Sequence, residues 1–264
     1  MLRIGTSGWH YAHWREVFYP RELAPSGWLG WYARHFDCVE VNNAFYRLPS
    51  QGTVRQWAES VPEGFSFAVK ASRYITHVRR LNDCAQAVQR FLDRMHGLGP
   101  HQGPVLFQLP GRWRPDLSRL QSFLDGLPPA LDAAFEFRDL RWHTRDVADL
   151  LAAHGVAFCV YDADGERSPL WLTAPFAYVR MHGPLGWYAG EYRRAGLGWL
   201  AEWLTELRRA GKGAWVFFNN DAEGRAVRDA LALKELVGGI GREDRFTPAG
   251  EAAVPGDGRG SPGG

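Results

Sequence analysis

Eight short apolar runs in this chain each end in, or near, a polar side chain able to do chemistry. Residues two apart on an extended strand share a face. Glu40 and Asn42 therefore lie together, opposite Val39 and Val41. Lys70 shares a face with Ser66 and Ala68, and Gln108 with Leu106. Glu136 and Arg138 oppose Phe135 and Phe137, while Arg180 and His182 oppose Val179 and Met181. Glu136, Lys70, His182 and Glu40 are the candidate catalytic groups, because carboxylate, amine and imidazole are the side chains that move protons. Arg138 and Arg180 are candidate grips for a substrate phosphate or carboxylate, since a guanidinium presents a planar fork to either. Asn42 and Gln108 would add hydrogen bonds. Burying so many ionisable groups is costly unless they pair or work, which argues for a site. The bland reading is mutual neutralisation, with Glu40, Glu136 and Asp162 balanced against Lys70, Arg138 and Arg180.

The same residues admit other chemistry. Glu40, Glu136, Asp162 and His182 could supply oxygen and imidazole ligands to a divalent metal, although Lys70, Arg138 and Arg180 would repel the ion. The loops that follow the runs are rich in aromatic and cationic residues. They include Trp9, His10, Tyr11 and Trp14; Phe45, Tyr46 and Arg47; Arg73, Tyr74 and His77; and Trp187 and Tyr188. Such loops suit a sugar, a nucleotide or the end of a nucleic acid, and Trp9, Tyr46 and His77 join the candidate substrate contacts. Gly5-Thr-Ser-Gly8 is not a nucleophile elbow, because Trp9 stands where that motif needs its last glycine. No P-loop, GxGxxG or HExxH occurs.

The elements that must position these groups follow from the spacing. The runs are 3–7, 38–42, 65–70, 104–109, 133–138, 156–161, 176–182 and 214–219, short and rich in Val and Phe, as buried parallel strands are. Helical spacing marks 83–98, 116–127, 144–153, 197–210 and 221–237, with Thr144 as a cap and Gly155 as a stop. Alternation repeated eight times predicts an α/β fold of the TIM-type (β/α)8 barrel, with a doubly wound open sheet as the alternative. Residues 162–175 are too short and too rich in turn formers for a full helix, so the unit after the sixth strand is expected to be degenerate. Residues 1–238 read as a single barrel domain. Residues 239–264, dense in Gly, Pro and charge, read as a disordered tail.

Composition limits the function classes. The 264 residues suffice for one α/β barrel, and 45% hydrophobic with 23% charged residues is a globular balance. A net charge of +2 is too small to argue for nucleic acid by itself. Cys38, Cys84 and Cys159 form no CxxC and suggest buried, reduced thiols. No signal peptide precedes the first strand and no apolar run is long enough to span a membrane, so a cytoplasmic location is expected.

Several segments together resemble a known family. They are Gly5-Thr-Ser-Gly-Trp9, Phe18-Tyr-Pro20, Val39-Glu-Val-Asn-Asn-Ala-Phe-Tyr-Arg47, Phe67-Ala-Val-Lys-Ala-Ser-Arg-Tyr-Ile-Thr-His77, Val105-Leu-Phe-Gln-Leu-Pro110, Phe135-Glu-Phe-Arg138 with Trp142, Tyr178-Val-Arg-Met-His-Gly183 and Phe217-Phe-Asn-Asn-Asp221. In this order they resemble the YecE-like family, domain of unknown function 72, from about Leu2 to Val237. The resemblance implies a TIM-type barrel and supplies no reaction. It implies motif positions at Glu40, Asn42, Lys70, His77, Gln108, Glu136, Arg138, Arg180, His182 and Asn220.

Four readings follow. The leading one is an acid/base enzyme (a hydrolase, lyase or isomerase) acting on an anionic small molecule, with no cofactor evident. The others are a metal-assisted hydrolase or isomerase, a nucleic-acid-binding or processing protein, and a module that binds a metabolite without turning it over.

Overall fold

Strand and helix alternate along the chain and close on themselves in space. The structure, a computed structural model, describes residues 1–238. The strands are β1 (Leu2–Thr6), β2 (Cys38–Val41), β3 (Ser66–Lys70), β4 (Gln102–Leu109), β5 (Ala133–Phe137), β6 (Ala157–Ala163), β7 (Glu166–Arg167), β8 (Phe176–Gly183) and β9 (Gly213–Phe218). Apart from two-residue β7, all pair in parallel, in the spatial order β1-β9-β8-β6-β5-β4-β3-β2. Neighbours in space are thus neighbours in sequence. A doubly wound sheet would reverse its order at a switch point, and this one does not. The ring is nearly closed between β1 and β2 by a parallel bridge, Ser7 to Glu40, and by Gly8 N–H donating to the Glu40 carbonyl at 2.8 Å.

Two cores separate as strand alternation requires. Outward residues such as Val39, Phe67, Phe107, Phe135, Val179 and Val216 pack in one large cluster with the helices. The inward residues Cys38, Ala68, Leu106, Ala134, Ala157 and Cys159 are small or slender, and Tyr178, Trp215 and Phe217 fill the space they leave. Large rings from some strands against small side chains from others keep a narrow barrel filled without voids. The three cysteines are free and buried, as expected.

The helices are α1 (Trp28–Tyr32), α2 (Asn43–Tyr46), α3 (Gln51–Glu59), α4 (Ala85–Met95), α5 (Leu117–Asp125), α6 (Arg145–Ala153), α7 (Arg193–Arg209) and α8 (Arg225–Leu236). Thr144 caps α6 by accepting from Val147 N–H, and Gly155 follows it at φ 65°. The short helices α1 and α2 carry too few turns to show a period in the sequence, and α3 buries only Val54 and Trp57. Tertiary packing holds α1 instead, with Trp28 stacked on Tyr19 at 4.9 Å between centroids. Helix α7 starts at Arg193, four residues before the apolar period begins at Leu197. Its first turn is capped from another helix: Asp229 of α8 accepts from the N–H groups of Tyr192 (3.0 Å) and Arg193 (3.1 Å).

The degenerate unit is as expected. β7 turns back antiparallel onto the end of β6. The chain then runs beside β6, where Ser168 Oγ accepts from Tyr161 N–H at 2.8 Å and Thr173 Oγ1 accepts from Phe158 N–H at 2.7 Å. Side-chain hydroxyls thus bond the flank of β6 where a helix would otherwise cover it. Among the described residues, no helix is long and apolar enough to cross a membrane.

Closure depends on Gly5. A Cβ there would lie 2.3 Å from the Cys38 carbonyl oxygen and 2.9 Å from the Tyr32 hydroxyl. Gly5→Ala is expected to destabilise the fold by about 1–3 kcal/mol or more, the cost of forcing atoms into a packed site. Gly155→Asn meets nothing within 4 Å and keeps a residue that tolerates positive φ, so it is expected to cost less than about 1 kcal/mol. Denaturant midpoints of the two variants test the contrast.

Candidate functional site at the barrel mouth

Arg180 is the centre of the polar cluster. It points inward from β8 with only 1% of its surface exposed. One terminal nitrogen donates to Glu136 Oε2 at 2.6 Å, and the other to Glu40 Oε1 at 2.8 Å. Glu40 also accepts from Ser7 Oγ (2.5 Å), Tyr178 Oη (2.7 Å) and Asn42 Nδ2 (3.2 Å). Arg138 forms a close ion pair with Glu136 Oε1. Burial alone would raise both carboxyl groups. Arg180, Ser7 and Tyr178 outweigh it at Glu40, and Arg138, Arg180 and His182 hold Glu136 well below the usual carboxylate range. Both carboxylates stay ionised, so Glu136 holds no proton to donate near neutral pH.

His182 is buried and neutral. Its Nε2 lies 3.1 Å from an Arg138 terminal nitrogen and 3.5 Å from Glu136 Oε1. Its Nδ1 lies 3.1 Å from the amide nitrogen of Asn219. Burial, with Arg180 and Arg138 nearby, lowers its pKa to about 3 against the opposing pull of Glu136. Trp187 roofs this corner: its ring centroid is 3.9 Å from the Arg138 guanidinium and 4.8 Å from the His182 ring.

Lys70 sits differently. Its Nζ lies 4.1 Å from the Phe45 ring centroid. Among the described residues no carboxylate comes within 4.0 Å of it, because Glu40 and Glu136 are taken by arginines. Burial first, then Arg180, lower its pKa to about 8, with Glu136 and Glu40 pulling the other way. His77, on the turn after β3, meets the same Phe45 ring edge-on at 5.0 Å and bonds Thr76 Oγ1 at 2.9 Å. Burial and the nearby Lys70 lower its pKa to about 4.

The structure brings together most of the residues expected from strand alternation: Glu40, Asn42, Glu136, Arg138, Arg180 and His182, with Lys70 beside them. Gln108 is next to Glu136 across the β4–β5 ladder and donates to the Leu109 carbonyl at 2.7 Å. The other expected residues lie elsewhere. Trp9 is buried against Trp57 (5.6 Å) and Phe67 (6.2 Å) in the helix-facing core. Tyr46 is 75% exposed on the rim. Asn220 points away from the cluster and donates to the Gly190 carbonyl and to Asp229, both at 2.8 Å. Asp162 accepts from Tyr192 Oη at 2.8 Å and pairs with Arg167 at 3.7 Å, and so leaves the charge balance of the cluster. Two carboxylates, Glu40 and Glu136, therefore face three cations, Lys70, Arg138 and Arg180. Among the described residues no group of three His, Cys, Asp or Glu side chains could hold a metal ion. The four expected ligands are divided by guanidinium groups and by Tyr192.

Three residues of the cluster were not among the expected site residues, Ser7, Tyr178 and Asn219, and Trp187 was named only among the aromatic loops. Continuing the alternation of Trp215 and Phe217 by one step points to Asn219, not Asn220. Alternation puts Tyr178 on the inward face with Arg180 and His182, whereas nothing local signals Ser7, whose role needs β1 and β2 side by side.

The loop after β8 is fixed by a second network. Gly183 has φ 122°, and a Cβ there would lie 2.2 Å from the Ala189 carbonyl oxygen. Its N–H donates to Tyr192 Oη at 2.9 Å, and Tyr188 N–H donates to the His182 carbonyl at 2.5 Å. These bonds set Trp187 over Arg138.

Residues 3–251 match the family model described as protein of unknown function DUF72. The chain belongs to that family. It is 35% identical over 139 residues to the UPF0759 protein YecE of Escherichia coli; the match takes in 52% of this chain and about half, 48%, of that protein. It is 27% identical to the UPF0759 protein YunF of Bacillus subtilis, covering 90% of this chain and 95% of YunF. A crystal structure of a DUF72 family protein from Thermotoga maritima superposes with a TM-score of 0.81 at 28% identity, covering 90% of this chain and 99% of that one. One from Enterococcus faecalis, 21% identical, gives 0.78 and supports the fold.

Arg180→Met is expected to destabilise the protein by about 3–5 kcal/mol, because it leaves two buried carboxylates without their shared partner. A denaturation midpoint shift below about 1 kcal/mol would show that Glu40 and Glu136 are held without it. The pH dependence has a definite sign. His182 and His77 titrate at 6.5 when unfolded and at about 3 and about 4 when folded. Between those limits the unfolded chain binds more protons, so their contribution is full above pH 6.5 and is lost as pH falls. The melting temperature should drop from pH 7 to pH 5, and His182→Asn should flatten that drop.

Proposed function

We propose that this protein is an enzyme whose acid/base site, at the C-terminal mouth of the barrel, acts on a small anionic substrate, phosphorylated or carboxylated. The supporting observation is the unbalanced charge: two ionised carboxylates against three cations, with Lys70 lacking a carboxylate partner. An anion at the mouth would complete the balance. Arg180 spends its terminal nitrogens on Glu40 and Glu136, so the grip falls to Arg138, whose side chain keeps 14% exposure under Trp187. Lys70, near pH 8, is the group that exchanges a proton close to neutrality, and neutral His182 positions Arg138. Glu136 and Glu40 act as fixed countercharges. Free thiols at Cys38, Cys84 and Cys159 accord with a reducing compartment, and we place the protein in the cytoplasm.

A second reading draws on the rim, where Tyr46, Tyr74, Trp187 and Tyr188 are exposed in the loops after β2, β3 and β8, interleaved with Arg47 and Arg73. Aromatic faces among arginines suit stacked bases, and nucleic-acid binding there would weaken steeply with salt.

Thermal-shift titration with a panel of phosphorylated and carboxylated metabolites tests the first reading. Anions that fit should raise the melting temperature. At a hundred times Kd the stabilisation is about 2.7 kcal/mol, and it should shrink in Arg138→Leu. No shift with any member, in protein shown to be folded, would remove the anionic-substrate reading. Titration with short DNA and RNA at low salt decides the second, and a shift that vanishes at moderate salt would favour it.

A further inference from the structure

The chain uses arginine for nearly all of its cations. Of 31 Lys and Arg residues only three are lysine: Lys70, Lys212 and Lys234. Lys212 is exposed on a loop, and Lys234, on α8, donates to the His35 carbonyl at 2.9 Å. Lys70 is thus the one lysine among the inward-facing residues of the described barrel. The two other cations beside it are arginines, and arginine suffices where charge or a planar fork is wanted. What an amine adds is a lone pair, which a guanidinium never frees in a protein.

The surroundings of Lys70 keep that lone pair available. An ion pair would hold the group as ammonium, and among the described residues no carboxylate stands within 4.0 Å of Nζ. Its near neighbour is the Phe45 ring, over which Nζ lies 4.1 Å from the centroid, a weaker hold on an ammonium than a carboxylate would be. The residue as a whole is half-buried. Burial first, then the positive field of Arg180 and Arg138, lowers its pKa to about 8. At pH 7 roughly one Lys70 amine in ten is then neutral, against about one in several thousand for an unperturbed lysine.

The geometry points to Lys70 as a nucleophile that condenses with the carbonyl carbon of a small aldehyde or ketone bearing a carboxylate or phosphate. This rests on the anionic-substrate reading above and names the substrate class. The Nζ lone pair forms the C–N bond while the carbonyl π pair moves onto oxygen, and the proton shed by nitrogen ends on that oxygen. The resulting hydroxyl takes a proton from solvent and leaves as water, and the nitrogen lone pair closes the C=N bond as an iminium. No oxidant or reductant is involved. The iminium carries the same single positive charge as the ammonium it replaces, so the cluster keeps its excess charge for the substrate anion at Arg138.

Reductive trapping tests this on the full chain. The protein is incubated at pH 7 with glyoxylate, pyruvate or glycolaldehyde phosphate, each with cyanoborohydride as reductant, and with formaldehyde as an uncharged carbonyl. Intact mass and peptide mapping then report on three lysines that are easily told apart. The expected result is an adduct on Lys70 from at least one anionic carbonyl, roughly tenfold or more above Lys212 and Lys234. It should persist in a Lys212→Arg/Lys234→Arg variant and be lost in Lys70→Arg. Labelling of Lys70 at or below the level of the other two with all anionic probes overturns the proposal, whatever formaldehyde does, and the wild-type map decides this even if Lys70→Arg fails to fold. If anions stabilise the protein in thermal shift and Lys70 is still not trapped, the iminium fails and the anion site stands. If anions neither stabilise nor label, both fail together.

Discussion

One buried guanidinium organises the interior of this barrel. Arg180 spans Glu136 and Glu40, and through Glu40 it reaches Ser7 on one side and Tyr178 on the other. Those residues come from β5, β2, the end of β1, and β8. The charges cost several kcal/mol each to take out of water, and they persist only because each finds its opposite at hydrogen-bond distance. The barrel therefore closes around an ionic centre with an apolar floor of Tyr178, Trp215 and Phe217 beneath it. Gly5 lets β1 approach β2 closely enough for Ser7 to reach Glu40.

That constraint decides which groups have chemistry left to offer. Glu40 and Glu136 are committed as countercharges, and Arg180 spends its two terminal nitrogens on them. Arg138 keeps one face under Trp187 and one edge on His182. Lys70 lies beside the arrangement, close enough to feel its field and without a carboxylate of its own. A functional site next to a saturated ion network is economical, because the network fixes the field while the neighbouring amine stays free to change its protonation state.

The roof of the site depends on a different part of the chain. Asp229 on α8 caps α7 and holds Asn220, Asn220 holds the Gly190 carbonyl, and Tyr192 links Gly183 to Asp162. These contacts determine where Trp187 sits. Asp162 and Asn220, which sequence position associates with the site, thus act on it through the loop they support.

The barrel, its degenerate sixth unit and most of its polar cluster were legible from sequence. Strand alternation and helical spacing are local, with periods of two and about 3.6 residues, and hydrophobic burial converts them directly into inward and outward faces. Glu40, Lys70, Glu136, Arg138, Arg180 and His182 announced themselves as polar residues in otherwise apolar strands. What spacing does not carry is the pairing between strands. Whether Asp162 joined Arg180 or Tyr192, whether Trp9 lined the mouth or the helix-facing core, and whether Asn219 or Asn220 met His182 were settled by contacts between side chains far apart in the chain, 140 residues in the case of Arg180 and Glu40. The sequence alone determined which groups could be charged and which face each strand would bury. Only the tertiary structure decided which charges cancel, because that depends on distances across the barrel, and so left Lys70 as the amine with no carboxylate to hold it.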